Sequence, residues 1–284
     1  LGLAIPFAFA IAALVTRRLD TAWITATRRW MIVSWLFLGV GILLGARWAY
    51  EELGWGGYWA WDPVENAAFM PWLVATAFLH SVMVQERRGL LKVWNLVLII
   101  LTFTLALFGT FLTRSGIVAS VHAFGESTLG PYFAAFIGLI LVGSIGLLIL
   151  RLPDLRSQHS LESYVSREAV FLYNNLLLLG LAFATFWGTV FPILSEAARG
   201  SRSTVGQGYY DQVAIPIGIA LLILTGVGPL IAWRKASLDQ LRRRFEIPVA
   251  AAAAGAGVLG IFTDAWSNWA AGAVFTAGMF VATT

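Results

Sequence analysis

Long apolar stretches alternate with short charged breaks along this chain, and that alternation restricts the folds open to it. The stretches occupy residues 1–15, 30–48, 67–84, 93–112, 131–150, 169–194, 213–233, 247–262 and 270–281. Most come close to the roughly 20 apolar residues needed to cross the hydrocarbon core of a bilayer. Only 12% of the 284 residues are charged, against roughly 25% in soluble domains. Such a chain cannot hide its apolar surface in a water-soluble globule. In lipid every backbone polar group must be satisfied within the structure, so the spans are expected to be helices. The sequence therefore predicts an all-α, polytopic transmembrane helical bundle with about nine spans. Residues 1–284 read as one polytopic membrane domain. The short first and last spans abut the chain ends, which leads us to expect a piece of a longer protein.

Charge sorting predicts the orientation of the bundle. Fifteen of the nineteen Lys and Arg residues fall in the breaks after the first, third, fifth and seventh spans. The opposite side carries only Arg47, Arg114, Arg199 and Arg202. By the positive-inside rule the crowded side faces the cytoplasm and the sparse side faces outward. The basic pI of about 9.7 thus reads as topology, and no nucleic-acid partner is expected. There is no cysteine. Disulfide scaffolds, thiolate metal sites and cysteine nucleophiles are excluded within this chain.

The outward side carries the segment Trp55-Gly56-Gly57-Tyr58-Trp59-Ala60-Trp61-Asp62-Pro63-Val64-Glu65-Asn66, within an external loop placed at residues 47–66. Three Trp and one Tyr fall within seven positions. An interfacial aromatic belt is one explanation. Such a belt usually spreads one or two rings per helix end. The crowding here, with Gly56 and Gly57 permitting close approach, favours a platform for a planar ligand. Asp62-Pro63-Val64-Glu65 has the pattern of N-cap, proline at N1 and glutamate at N3. Asp62 is accordingly read as a helix cap rather than an acid catalyst.

The three histidines have different settings. His80 lies within the third span, about 20 Å below the outer surface by helical rise. An ionisable residue at that depth is a functional candidate by default. Either a neutral imidazole bonded to a neighbouring helix or a haem ligand suits it. His122 sits in the external segment after the fourth span, with Arg114 at the mouth of that span. Together they could offer an axial imidazole and a partner for a propionate, although His122 in isolation reads as a solvated loop residue. His159 lies in a mixed-charge break and reads as solvated.

The aromatic segment resembles the tryptophan-rich WWD signature of haem-handling membrane proteins. Its continuation, Phe69-Met70-Pro71-Trp72-Leu73, is similar to the CcmF-type cytochrome c haem lyases among them. Gly109-Thr110-Phe111-Leu112, Arg114-Ser115-Gly116, Ser120-Val121-His122-Ala123-Phe124, Asn174-Asn175, Gly226-Val227-Gly228-Pro229-Leu230 and residues 205–210 extend the likeness. It covers residues 47–233.

The resemblance implies a lyase of the bacterial inner membrane, with the WWD loop facing the periplasm. Such a protein takes haem from a haem chaperone and joins its vinyl groups to the Cys-x-x-Cys-His motif of apocytochrome c. A thiol-handling maturation subunit is a further implied partner. The implied haem-binding residues are Trp55, Gly57, Tyr58, Trp59, Trp61, Asp62 and Arg114. His122 would hold the iron of the external substrate haem, and His80 that of a b-type haem in the membrane. No catalytic group beyond this positioning is expected. No His precedes His80 and none follows His159, so the second axial ligands lie outside this chain. The competing readings are a haem exporter or carrier that forms no bond, and a transporter of another solute.

Overall fold

The computed structural model describes residues 1–53, 57–117, 120, 128–157, 161–233 and 237–284. Among the described residues there are nine α-helices and no strands. They are α1 (Ala4–Thr16), α2 (Thr21–Glu52), α3 (Pro63–Arg88), α4 (Lys92–Ser115) and α5 (Gly130–Arg151), followed by α6 (Arg167–Arg199), α7 (Gln207–Leu230), α8 (Leu238–Phe262) and α9 (Trp269–Ala282). Each of the nine apolar stretches overlaps one helix. The seven helices α2 to α8 are long and apolar enough to cross a membrane, while α1 and α9 are shorter.

The helices overrun several of the expected spans because capping determines where a helix starts. Asp20 Oδ1 accepts from Ala22 N at 3.0 Å, so α2 begins nine residues before its apolar stretch. It continues to Glu52. With α3 starting at Pro63, both ends of the 47–66 segment are helical, and the described residues 57–62 between them are not.

The chain divides into two compact units, Leu1–His159 with Leu179–Tyr210, and Ser160–Leu178 with Asp211–Thr284. In the first unit α3 is the most enclosed helix, packed against α2 and α4. Leu73, Val74, Phe78 and Val82 of α3 and Leu96, Leu98, Ile99 and Leu112 of α4 are buried there. Water does not drive helices together in lipid, so close van der Waals contact and polar bonds must hold this pair. Both are present. Pro71 cannot donate to the carbonyl of Ala67, and Gly109 of α4 packs against that backbone. A Cβ at Gly109 would lie 3.2 Å from Ala67 O and 3.1 Å from its Cβ. Deeper in the pair, Asn95 Nδ2 donates to Gln85 Oε1 at 2.7 Å, and Ser81 donates to Asn95 Oδ1.

The two ends of this unit differ in chemistry. At one end Arg28 of α2 pairs with Glu86 of α3, and Arg151 Nε donates to Leu14 O at the C-terminus of α1 at 2.8 Å. These contacts place the start of α2 beside the ends of α1, α3 and α5. A cation on the last carbonyls of a helix also complements its dipole. The opposite end holds the end of α2, the start of α3 and the aromatic loop between them.

In the second unit α8 packs on α9. Arg167 donates to the carbonyls of Gly228, Pro229 and Ile231, at 2.9, 2.7 and 3.2 Å, and lies over the Trp233 ring. It thereby closes the C-terminal end of α7, which has no basic residue of its own in its last turn.

Candidate functional site

The start of α3 is built as its local sequence requires. Asp62 is the N-cap, Pro63 is at N1, and Glu65 closes a capping box. Asp62 Oδ2 accepts from Val64 N at 2.9 Å, while Glu65 Oε2 accepts from Asp62 N at 3.0 Å and Ala60 N at 3.1 Å. Two carboxylates therefore hold the backbone of the aromatic loop against the first turn of α3. Asp62 has a second engagement, because Ser120 Oγ donates to Oδ2 at 2.6 Å. That bond ties the segment after α4 to the aromatic loop.

The rings of the loop do not lie in one plane. Trp59 and Trp61 meet edge to face, with centroids 5.9 Å apart and planes at 89°. Such T-shaped contacts suit the ring quadrupoles. The stacked pairs are made with helix residues instead. Tyr58 stacks on Tyr50 of α2 at 4.4 Å and 13°, both well exposed. Trp61 stacks on Tyr210 of α7 at 4.9 Å and 8°. Phe69, two turns into α3, contacts Trp59 and Trp61 from below and continues to Trp72, which stacks on Trp35.

Trp61 has a φ of 57°, in the left-handed region. A bulky residue there costs roughly 1–2 kcal/mol, and such strain persists only where the surroundings enforce it. The enforcing group is Asn66. Its Nδ2 donates to Trp61 O at 3.0 Å, to Thr189 Oγ1 of α6 at 3.1 Å and to Tyr210 Oη at 3.4 Å. Thr189 spends its own hydroxyl hydrogen on Thr185 O, leaving its oxygen to accept. Asn66 is fully buried.

A cavity of about 280 Å³ opens between α2 and α3 beside Trp59, lined also by Gly41, Gly45, Trp48, Glu65 and Ala68. Trp59 Nε1 is buried without a hydrogen-bond partner. Gly57 lies at the start of the described part of the loop, with nothing within 4 Å of the place its Cβ would take. Arg114 is exposed in the last turn of α4, with Gly116 in the left-handed conformation closing that helix. On the same segment Ile117 O accepts from Arg202.

His80 is half-buried in the interior of α3, one turn beyond Thr76. Thr76 Oγ1 accepts from Trp35 Nε1 at 2.8 Å and donates to Trp72 O. Trp55, His122 and His159 lie outside the described residues. Of the expected site residues, Gly57, Tyr58, Trp59, Trp61 and Asp62 are brought together at one end of the first unit. His80 is set apart from them, about 25 Å along α3 from Pro63 by helical rise. Asn66, Thr189, Ser120 and Tyr210 had not been singled out for the site.

The sequence model of the family described as "Cytochrome C assembly protein" matches residues 1–118. The cytochrome c-type biogenesis protein CcmF of Pseudomonas aeruginosa is 45% identical over 99% of this chain, which spans 42% of that protein. A solved structure named cytochrome c haem lyase CcmF superposes with a TM-score of 0.77 and 38% identity, covering 99% of this chain and 43% of that one. Along almost its whole length the chain is similar to CcmF proteins of cytochrome c biogenesis.

Two further proteins of cytochrome c biogenesis are similar over comparable lengths. The Escherichia coli CcmF is 43% identical over 82% of this chain and 36% of its own length. The CycK protein of Bradyrhizobium diazoefficiens is 43% identical over 94% of this chain and 40% of its own. The chain thus spans about two fifths of the length of the curated relatives it matches. As in the CcmF structure, the architecture is all-helical, and the chain is a multi-pass membrane protein.

The residues present suit a haem. Exposed stacked rings at Tyr50 and Tyr58 offer a flat apolar face, and the Trp59 indole N–H is an unused donor. The Arg114 guanidinium suits a propionate, and the His80 imidazole is of the type that ligates haem iron.

Proposed function

We propose that this chain is the part of a cytochrome c haem lyase that presents haem at the outer membrane face for attachment to apocytochrome c. One observation carries this reading: the Ser120 hydroxyl is bonded to Asp62 at the root of the aromatic loop. His122 follows Ser120 by two residues in the sequence. That closeness in sequence supports a reading in which the His122 imidazole serves the same site as the rings of the loop. Trp55, Tyr58, Trp59 and Trp61 supply apolar and aromatic surface to the macrocycle, with Gly57 allowing close approach. Arg114 would pair with a propionate, and His122 would ligate the haem iron. Asp62 and Glu65 act on the loop backbone rather than on the ligand. The loop is the haem-binding part of a single polytopic membrane domain.

The product bond is a thioether. The substrate's S–H adds across a vinyl C=C, sulfur to the inner carbon and hydrogen to the terminal one, with no atom lost. The chain needs only to hold the two reactants in register, which can supply a large part of the rate. With no cysteine, it offers no competing thiol. The substrate haem comes from a haem chaperone, and a thiol-handling subunit keeps the incoming cysteines reduced. His80 would hold a second, b-type haem, which would supply redox chemistry within the membrane. The aromatic end faces the periplasm of a bacterial inner membrane, with the Arg-rich end in the cytoplasm.

The test is His122→Ala, assayed for covalent cytochrome c in cells and for membrane insertion of the variant. Loss of covalent cytochrome c with normal insertion is expected. Normal maturation would remove the axial role. Haem-loaded protein with unaffected cytochrome c after deletion would instead mark a haem carrier.

A further inference from the structure

We propose that Tyr210 and Asn66 are positioning residues that set the plane of the Trp61 indole, and through it the aromatic surface offered to haem. The inference rests on the reading of the loop as a haem site and adds residues from two further helices to it. Trp61 is the one described loop residue held in the left-handed region, so its ring direction is not what the chain would adopt unaided. Three contacts impose it. Its carbonyl is taken by Asn66 Nδ2, its ring lies flat on Tyr210, and the same Asn66 amide reaches Tyr210 Oη.

Tyr210 is itself fixed from several sides. Gly188 of α6 provides its socket, since a Cβ there would stand 2.7 Å from Tyr210 Cζ and Oη and 2.8 Å from Tyr209 Cε1. Tyr209 crosses Tyr210 at 78° and is anchored by donating to Ala184 O at 3.1 Å. Thr189, one residue beyond Gly188, accepts from Asn66. A single buried amide therefore joins the loop, α6 and α7. With Tyr210 only 6% exposed and Asn66 fully buried, neither is placed to contact a ligand on the loop. Trp61 keeps more exposure than either. Its orientation is what the two transmit.

The experiment uses the protein in its native membrane and then in detergent, with Tyr210→Phe, Tyr210→Leu, Trp61→Leu and the double Leu variant. Haem retained per protein is read from the Soret band. Near-ultraviolet circular dichroism of haem-stripped protein reads the Trp61–Tyr210 ring pair independently of haem. Trp61→Leu and Tyr210→Leu should each lower haem retention several-fold, and the double variant should lose no more than Trp61→Leu alone. Non-additivity is the mark of action through a shared partner. Tyr210→Phe keeps the stack and should retain most of the haem. The dichroism change should be shared and non-additive in the same way. Gly188→Ala, mild for a helix, should displace the Tyr210 ring and lower haem retention in a folded protein, which keeps the test decisive if Tyr210→Leu misfolds.

Two results would overturn the inference while leaving the haem site intact. One is full haem in Tyr210→Leu and in Gly188→Ala where Trp61→Leu has lost haem several-fold; the other is an additive loss in the double variant. Full haem in Trp61→Leu itself, with the shared dichroism change still present, would overturn the haem reading of Trp61, and the positioning role with it.

Discussion

Ser120 and Asp62 are 58 positions apart, yet the hydroxyl of one donates to the capping carboxylate of the other at 2.6 Å. The residue that starts α3 is thereby also the one that receives the segment leaving α4. A helix cap has become the junction of two interhelical segments, and its chemistry can be separated from its geometry by substitution.

Asp62→Asn is expected to keep both roles, because asparagine caps as well as aspartate and its oxygen can accept from Ser120. Asp62→Ala should lose about 1 kcal/mol of stability from the cap and release Ser120. Cytochrome c maturation near the natural level in Asp62→Asn, with a clear defect in Asp62→Ala, is the expected pair. Loss of maturation in Asp62→Asn would mean that the carboxylate acts chemically.

Asn95 links Ser81 and Gln85 at the α3–α4 contact, and both Ser81 and Asn95 are fully buried. Asn95→Leu leaves two buried polar groups without this partner, at about 1–3 kcal/mol in all. Unfolding in mixed micelles should show the loss. A neutral result would mean that the freed groups find new partners within the bundle.

Gly109 stands where a Cβ would press on the backbone and Cβ of Ala67. Gly109→Val should force α3 and α4 apart, at about 1–3 kcal/mol. The displacement should also reach the capping box one turn above Ala67. Lower stability together with reduced haem retention is expected. Reduced stability alone would confine the effect to packing.

His80→Ala tests the buried site. Purified protein should show a b-type haem spectrum that weakens in this variant, while folding and membrane insertion are kept. An unchanged spectrum would strike His80 from the ligands and leave it as a polar residue of the bundle.

Orientation can be read by labelling, since these 284 residues contain no cysteine. Glu52→Cys and Arg156→Cys place thiols near opposite ends of the first unit. An impermeant maleimide applied to spheroplasts should label position 52 and spare 156. The reverse pattern would invert the topology and put the aromatic loop in the cytoplasm.

What could be read from the chain alone was what depends on near neighbours and on solvent preference. Apolar stretches of membrane length led directly to helices, because lipid leaves the backbone no other partner. The cap at Asp62 was equally legible, since Asp62, Pro63 and Glu65 act within one turn. The start of α2 is set by Asp20, an ordinary cap signal to which hydropathy is blind.

Tertiary structure decided which groups converge. Asn66 meets Thr189 and Tyr210 across 123 and 144 positions. A single amide donating over such separations leaves no periodicity or spacing to detect. The ring pairing was likewise undecided in the sequence, where the loop's aromatic residues read as one flat surface. Folding split them into a Tyr50–Tyr58 stack and a Trp61–Tyr210 stack, with Trp59 edge-on to Trp61. The physical reason is that stacking needs two rings presented in parallel. The left-handed backbone at Trp61 turns its ring toward α7 rather than toward its neighbour in the loop.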